Sequence, residues 1–216
     1  MKTAIFISLG FLLFIPGVAM ATEEPNYTTL LKNENFELRR YDAQLVAQTW
    51  VSGDQDAASR QGFKILADYI FGNNKTDKGS SSKISMTAPV TMQPQAADNK
   101  ARKSESSKIA MTAPVMMKQE DNKWRVQFVM PSKYTMQTLP KPNNPDVTIV
   151  EIPVRNYAVI KFSGLAGSQK VADKTEELRT WMQSQKLVGT AVPELARYNP
   201  PWTLPFMRRN EIMIAY

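Results

Sequence analysis

The sequence predicts an α+β protein in which strands outnumber helices. Three features point there: eight short runs rich in β-branched and aromatic residues, two longer segments with apolar residues at helical spacing, and a strand-like segment that occurs twice. With 216 residues, 43% hydrophobic and 22% charged, the chain has the composition of an ordinary globular protein with one core.

Phe36–Tyr41 and Leu45–Val51 are the first two strands, and the turn-prone Asp42-Ala43 between them predicts a hairpin. Asp54–Phe71 follows as a helix. Asp54 and Asp56 complement the positive end of its dipole, Phe63, Leu66 and Ile70 recur on one side, and Gly72-Asn73-Asn74 stops it. Strands are then expected at Lys83–Met92, Lys108–Lys118, Trp124–Met130, Val147–Pro153 and Tyr157–Phe162. A second helix is predicted from about Ser168 to Leu187, with Val171, Leu178, Trp181 and Met182 on one stripe and Gly189 beyond its end. Ile212–Tyr216 reads as a closing strand.

The segment Ser81–Met92 recurs as Ser106–Met117, 25 residues later, with ten of twelve positions identical. A solenoid needs three or more units to bury a continuous face, so one pair predicts two neighbouring strands instead. The polar stretch Gln93–Glu105 would be an exposed loop between them. Pro89 and Pro114 cannot donate ladder hydrogen bonds, which places each at an edge or a bulge.

The N-terminus has the three parts of a secretory signal: Lys2, the largely apolar run Ala4–Val18, and the A-x-A end Ala19-Met20-Ala21. Fifteen residues broken by Pro16 and Gly17 fall short of the roughly 20 needed to span a bilayer. Residues 1–21 are therefore expected to be cleaved and residues 22–216 to form a single exported domain, periplasmic or extracellular, monomeric and without a membrane span.

Composition excludes much chemistry. The chain contains no histidine and no cysteine, which removes Ser-His-Asp and thiol machinery, histidine-ligated zinc, disulfide scaffolds and CxxCH haem attachment. Lys+Arg 27 against Asp+Glu 20 gives +7. The basic stretch from Lys75 to Lys108 lacks interleaved aromatics, so no nucleic-acid partner is expected. No phosphate loop, dinucleotide fingerprint or acidic metal cluster is present in the sequence.

Several motifs in one order carry a resemblance. FELRRY (Phe36–Tyr41), YIFGNN (Tyr69–Asn74), IxMTAPV twice, FVMPSKYT (Phe128–Thr135), LPKP (Leu139–Pro142) and ARYNPPWTLPFMRRNE (Ala196–Glu211) together resemble the SOUL haem-binding protein family, from about Phe36 to Tyr216. The resemblance implies a distorted antiparallel β-barrel of about eight strands with two helices packed outside. It also implies non-covalent binding of haem or a related tetrapyrrole in an apolar groove walled by the first helix.

Carried over residue by residue, the resemblance assigns Arg60 to a haem propionate, and Phe63, Leu66, Ala67 and Ile70 to either the macrocycle or the barrel. A guanidinium suits the first role because it offers a planar fork of donors to a carboxylate. Two further basic positions of some members fall near Asp68 and Thr203, which supply no positive charge. A histidine suggested as iron ligand in some members falls at Arg40, which offers no lone pair. Tyrosine and methionine are the remaining axial types. Met86, Met92, Met111, Met116 and Met117 read as apolar filling, and Tyr41, Tyr69 and Tyr198 as structural hydrogen bonders, so no metal ligand is assigned. The run Tyr198–Glu211 reads as scaffold, with paired prolines fixing a turn and Arg-Arg-Asn-Glu satisfying itself.

The expected function is capture of haem or another tetrapyrrole for transport, buffering or sequestration. Two alternatives stay open at this point: an envelope module for a lipid or peptide, and a tetrapyrrole-modifying enzyme.

Overall fold

The computed structural model describes residues 22–95 and 123–216. The elements run β1 (Tyr27–Asn33), β2 (Phe36–Tyr41), β3 (Gln44–Ser52), α1 (Gln55–Ile70), β4 (Asn74–Lys75), β5 (Val90–Pro94), β6 (Lys123–Val129), β7 (Lys141–Pro142), β8 (Thr148–Ile152), β9 (Arg155–Ser163), α2 (Ser168–Ser184), β10 (Glu194–Arg197) and β11 (Arg209–Ala215). Nine strands form one antiparallel sheet in the order β1-β2-β9-β11-β10-β5-β6-β3-β8, curled into a half-barrel, while β4 and β7 pair separately. This is the α+β distorted barrel with two outer helices that the resemblance implies.

One face of the sheet carries both helices. Across the register, Ala47 lies beside Phe128, Met92 beside Val126 and Leu195, and Ile212 beside Ile160. These side chains form a single core with Leu66 and Ile70 of α1 and Leu178, Trp181 and Met182 of α2. Phe36 stacks on Trp181 with ring centroids 4.9 Å apart, joining the sheet's β2 side to α2. Asp54 caps α1 by accepting from the Ala57 N–H at 2.7 Å. Gly62 lets the helix settle against β6: a Cβ there would stand 2.5 Å from Val126 Cγ2.

The predicted β2–β3 hairpin does not form. β2 pairs with β1 and β9, whereas β3 pairs with β6 and β8, so the two strands lie in opposite halves of the sheet. Asp42 and Ala43 carry the chain between them across the open side of the half-barrel, and the partners were decided by side chains far along the sequence. Of the expected strand at Lys83–Met92 only Val90–Met92 is in β5, which runs on to Pro94, and Pro89 precedes it outside the ladder. β5 is interior, flanked by β10 and β6. Its repeat copy, Lys108–Lys118, lies outside the described residues. β1 and β10 escaped the pattern because β1 is a nearly all-exposed edge strand and β10 has only four residues.

Candidate functional site

The five residues assigned to the first helix separate onto two faces. Leu66, Ala67 and Ile70 are buried in the core over β3 and β6, at 0%, 8% and 1% exposure. Of the two directions open to them, they take the barrel. Arg60 and Phe63, three residues apart, lie on the outer side, where Arg60 is exposed and Phe63 is 38% exposed with its ring 5.4 Å from Phe128. Lys64, also exposed, adds a second cation one turn beyond Arg60. Its i, i+4 spacing from Arg60 was the available sequence signal. Among the described residues neither cation has an ion-pair partner. Asp68 is exposed and accepts from Asn73 Nδ2 at 2.6 Å.

The outer side of α1 is tied to the C-terminal strands. Arg197, last residue of β10, donates to Ser59 Oγ at 3.0 Å and to the Ala166 carbonyl at 3.1 Å, and its charge lies 3.5 Å from Asp56. Beyond it the chain enters the loop Tyr198–Arg208. That loop exposes Trp202, Leu204, Phe206 and Met207 at 82%, 56%, 72% and 62%. Sequence reasoning took this run as scaffold and missed its apolar surface. Composition gave the signal, since WTLPFM places four large apolar residues among prolines.

Two cavities compete for the role of site. The larger, about 370 Å³, lies beneath the N-terminal segment and is lined by Leu45, Met130 and Tyr134 together with Glu23, Glu24, Asp42 and Glu151. Four carboxylates and no Lys or Arg make it a poor match for a molecule carrying two propionates. Glu23 stays ionised there because the Ser132 N–H donates to it at 2.8 Å, holding its pKa below the usual range. The smaller, about 130 Å³, opens on the helix-free face beside Tyr41, Gln44, Arg125, Tyr157 and Glu194. It is too small for a macrocycle.

That helix-free face holds the buried charges. Arg39 bonds Glu37, Glu211 and the Tyr41 hydroxyl, and Tyr198 donates to Glu211 at 2.7 Å. Burial works against ionisation of Glu211, but bonds from Arg39 and the charges of Arg39 and Arg209 hold its pKa below the usual range. Glu194 goes the other way: burial outweighs the nearby Arg125 and Arg155 and raises it. Burial also pushes the Tyr157 phenol up to about 12. Arg209 pairs with Glu211 at 2.9 Å, so the Arg-Arg-Asn-Glu cluster does serve the scaffold. No cluster of three or more Asp or Glu placed to hold a metal occurs among the described residues.

A family profile described as SOUL heme-binding protein matches residues 22–105 and 97–215. The chain belongs to the SOUL haem-binding protein family. Haem or tetrapyrrole binding is thus its family-level property. No curated protein matches the chain. Among solved structures it is similar to the EcmrR C-terminal domain, at 11% identity and a TM-score of 0.57, over 88% of this chain and 96% of that one. It also resembles an uncharacterized conserved protein from Listeria innocua, at 10% identity and TM-score 0.54, over 90% and 93% of the two chains. A hydrolase from the same organism gives 12% identity and TM-score 0.52, over 86% and 93%. At such identities these likenesses concern the fold alone.

Proposed function

We propose that this SOUL protein binds haem or a related tetrapyrrole non-covalently on the outer side of α1, as an exported, monomeric carrier or buffer. The observation that carries the placement is that two cations, Arg60 and Lys64, neither ion-paired among the described residues, lie within one turn of the part-exposed Phe63 ring. The residues fit the group in charge as well as in polarity: the guanidinium fork of Arg60 matches a propionate, and the aromatic surface of Phe63 offers a flat contact to a macrocycle. The acidic cavity has no Lys or Arg in its lining.

The chain's contribution is to bind and orient. Burial of apolar surface supplies roughly 25 cal/mol per Å² removed from water. Arg60 and Lys64 select the anionic edge. A bound haem would bring its own iron chemistry. With no histidine in the sequence, recognition rests on the periphery of the ring rather than on a strong axial bond.

Hemin titration of the purified protein followed in the visible spectrum tests the reading. Saturable binding that Arg60→Glu weakens, with the absorption maximum unmoved, supports it. Parent-like binding by Arg60→Glu removes the α1 surface as the propionate end.

A further inference from the structure

The cavity of about 130 Å³ on the helix-free face is lined by side chains that alternate with core positions along their strands. Gln44, Arg125 and Glu194 point away from the helices because their chain neighbours Leu45, Val126 and Leu195 pack in or against the core. The protein leaves part of their bonding capacity unused. Glu194 is only 8% exposed, yet its one charged contact is Arg125 Nη2 at 3.4 Å, whereas a well-made charge-assisted bond is about 2.7–2.9 Å. That same Nη2 also donates to Gln93 Oε1. Arg125 Nε and Gln44 Oε1 are both buried without a hydrogen-bond partner. The Tyr41 hydroxyl, also in the lining, accepts from Arg39 at 2.7 Å, which leaves its own proton to donate.

We propose that this cavity binds a free α-amino acid with a short side chain. Buried polar groups left over beside a cavity point to a bound polar species. The volume equals that of roughly four waters, which suits a molecule of alanine's size. Charge selects the class. A simple anion would have to lie against Glu194, and a simple cation against Arg125 and the exposed Arg155. A zwitterion meets both signs: its carboxylate turns to Arg125, Arg155 and the Tyr41 hydroxyl, and its ammonium to Glu194 and the Gln44 carbonyl. Val46 and Met213 offer the short side chain an apolar wall. Burial raises the Glu194 pKa, and a bound ammonium would favour its ionised form again. None of the lining residues belongs to α1, so this site does not rest on the haem reading.

L-Alanine is the probe, and propionate and ethylamine are analogues that each lack one of its two charged groups. Calorimetric titration of the hemin-free protein at pH 7 is expected to show saturable L-alanine binding. Each analogue should bind about ten-fold more weakly or worse, the loss expected for one missing charged hydrogen bond. L-Tryptophan exceeds the cavity and should not compete. Glu194→Gln keeps the shape but not the charge, so it should weaken L-alanine binding about ten-fold, with a circular dichroism melt showing that it is folded. The analogue series needs only the parent chain and decides whether or not the variant folds. Absence of saturable L-alanine binding, equal binding of either analogue, competition by L-tryptophan, or parent-like binding by folded Glu194→Gln overturns the proposal. Hemin binding that persists where L-alanine fails overturns it while leaving the haem reading in place.

Discussion

Arg39 and Glu211, separated by 172 residues and neither with any exposed side-chain surface, face each other in a two-pronged ion pair at 2.8 and 3.0 Å. The pair joins β2 to β11 across the intervening β9 and draws in Glu37, Tyr41 and Tyr198. Every oxygen and nitrogen at its centre has a partner, which is the condition for a buried ion pair to be tolerated.

Removing one partner should therefore be severe. Arg39→Met leaves Glu37 and Glu211 buried without their shared cation, and a loss of about 3–5 kcal/mol is expected. Denaturant midpoints of the parent and variant measure it. A loss under about 1 kcal/mol would sink the assignment of this pair as a support of the sheet.

The two buried glutamates predict opposite pH behaviour. Glu211 has a lowered pKa when folded, so its stabilisation is present above the unfolded value of about 4.5 and is lost as pH falls through the folded one. Glu194 has a raised pKa, so folding is disfavoured as pH rises from the unfolded value through the folded one. Glu211→Gln should destabilise at pH 7 and converge with the parent in acid. Glu194→Gln should stabilise at pH 7 and lose that advantage in acid. Melting temperatures of both variants between pH 3 and 8 read the signs directly, and two curves of the same sign would contradict the contrast.

Gly62→Ala sets two effects against each other. Alanine favours a helix interior over glycine by about 1 kcal/mol. The added Cβ, however, would meet Val126 Cγ2 at 2.5 Å, within a packed core. Overpacking of this kind costs about 1–3 kcal/mol, so net destabilisation is expected. Val126→Ala in the same chain should recover part of the Gly62→Ala loss. A more stable single variant would show that α1 does not seat against β6 as closely as described.

Leu66→Asp and Arg60→Glu separate core from surface on one helix. Leu66 is fully buried, so the aspartate should unfold the protein at ordinary temperature. Arg60 is exposed and should leave the melt unchanged while weakening hemin binding. A folded Leu66→Asp that merely binds less hemin would return Leu66 to a ligand surface.

The export expectation has its own check. Mass spectrometry of the protein from its native source should find a chain beginning at Thr22. An intact Met1 form would refute cleavage after Ala21.

What was legible in the sequence was local. The acidic start of α1 at Asp54, the span of both helices, and Trp124–Met130 and Tyr157–Phe162 as strands could all be read because dipole complementarity and periodicity depend on neighbours within a few residues. Motif order carried the family. Strand partnership was not legible: β2 and β3 are adjacent in the chain yet lie in opposite halves of the sheet, since pairing is settled by which side chains meet across the core. The candidate site divided in the same way. Helical periodicity put Arg60, Phe63, Leu66, Ala67 and Ile70 on one helix, but which side of α1 met solvent depended on the close approach at Gly62 and on where β3 and β6 lay. The tertiary structure alone decided that three of those residues became core and that the tip at Trp202 stayed exposed, because burial belongs to the surface that remains after the sheet has curled.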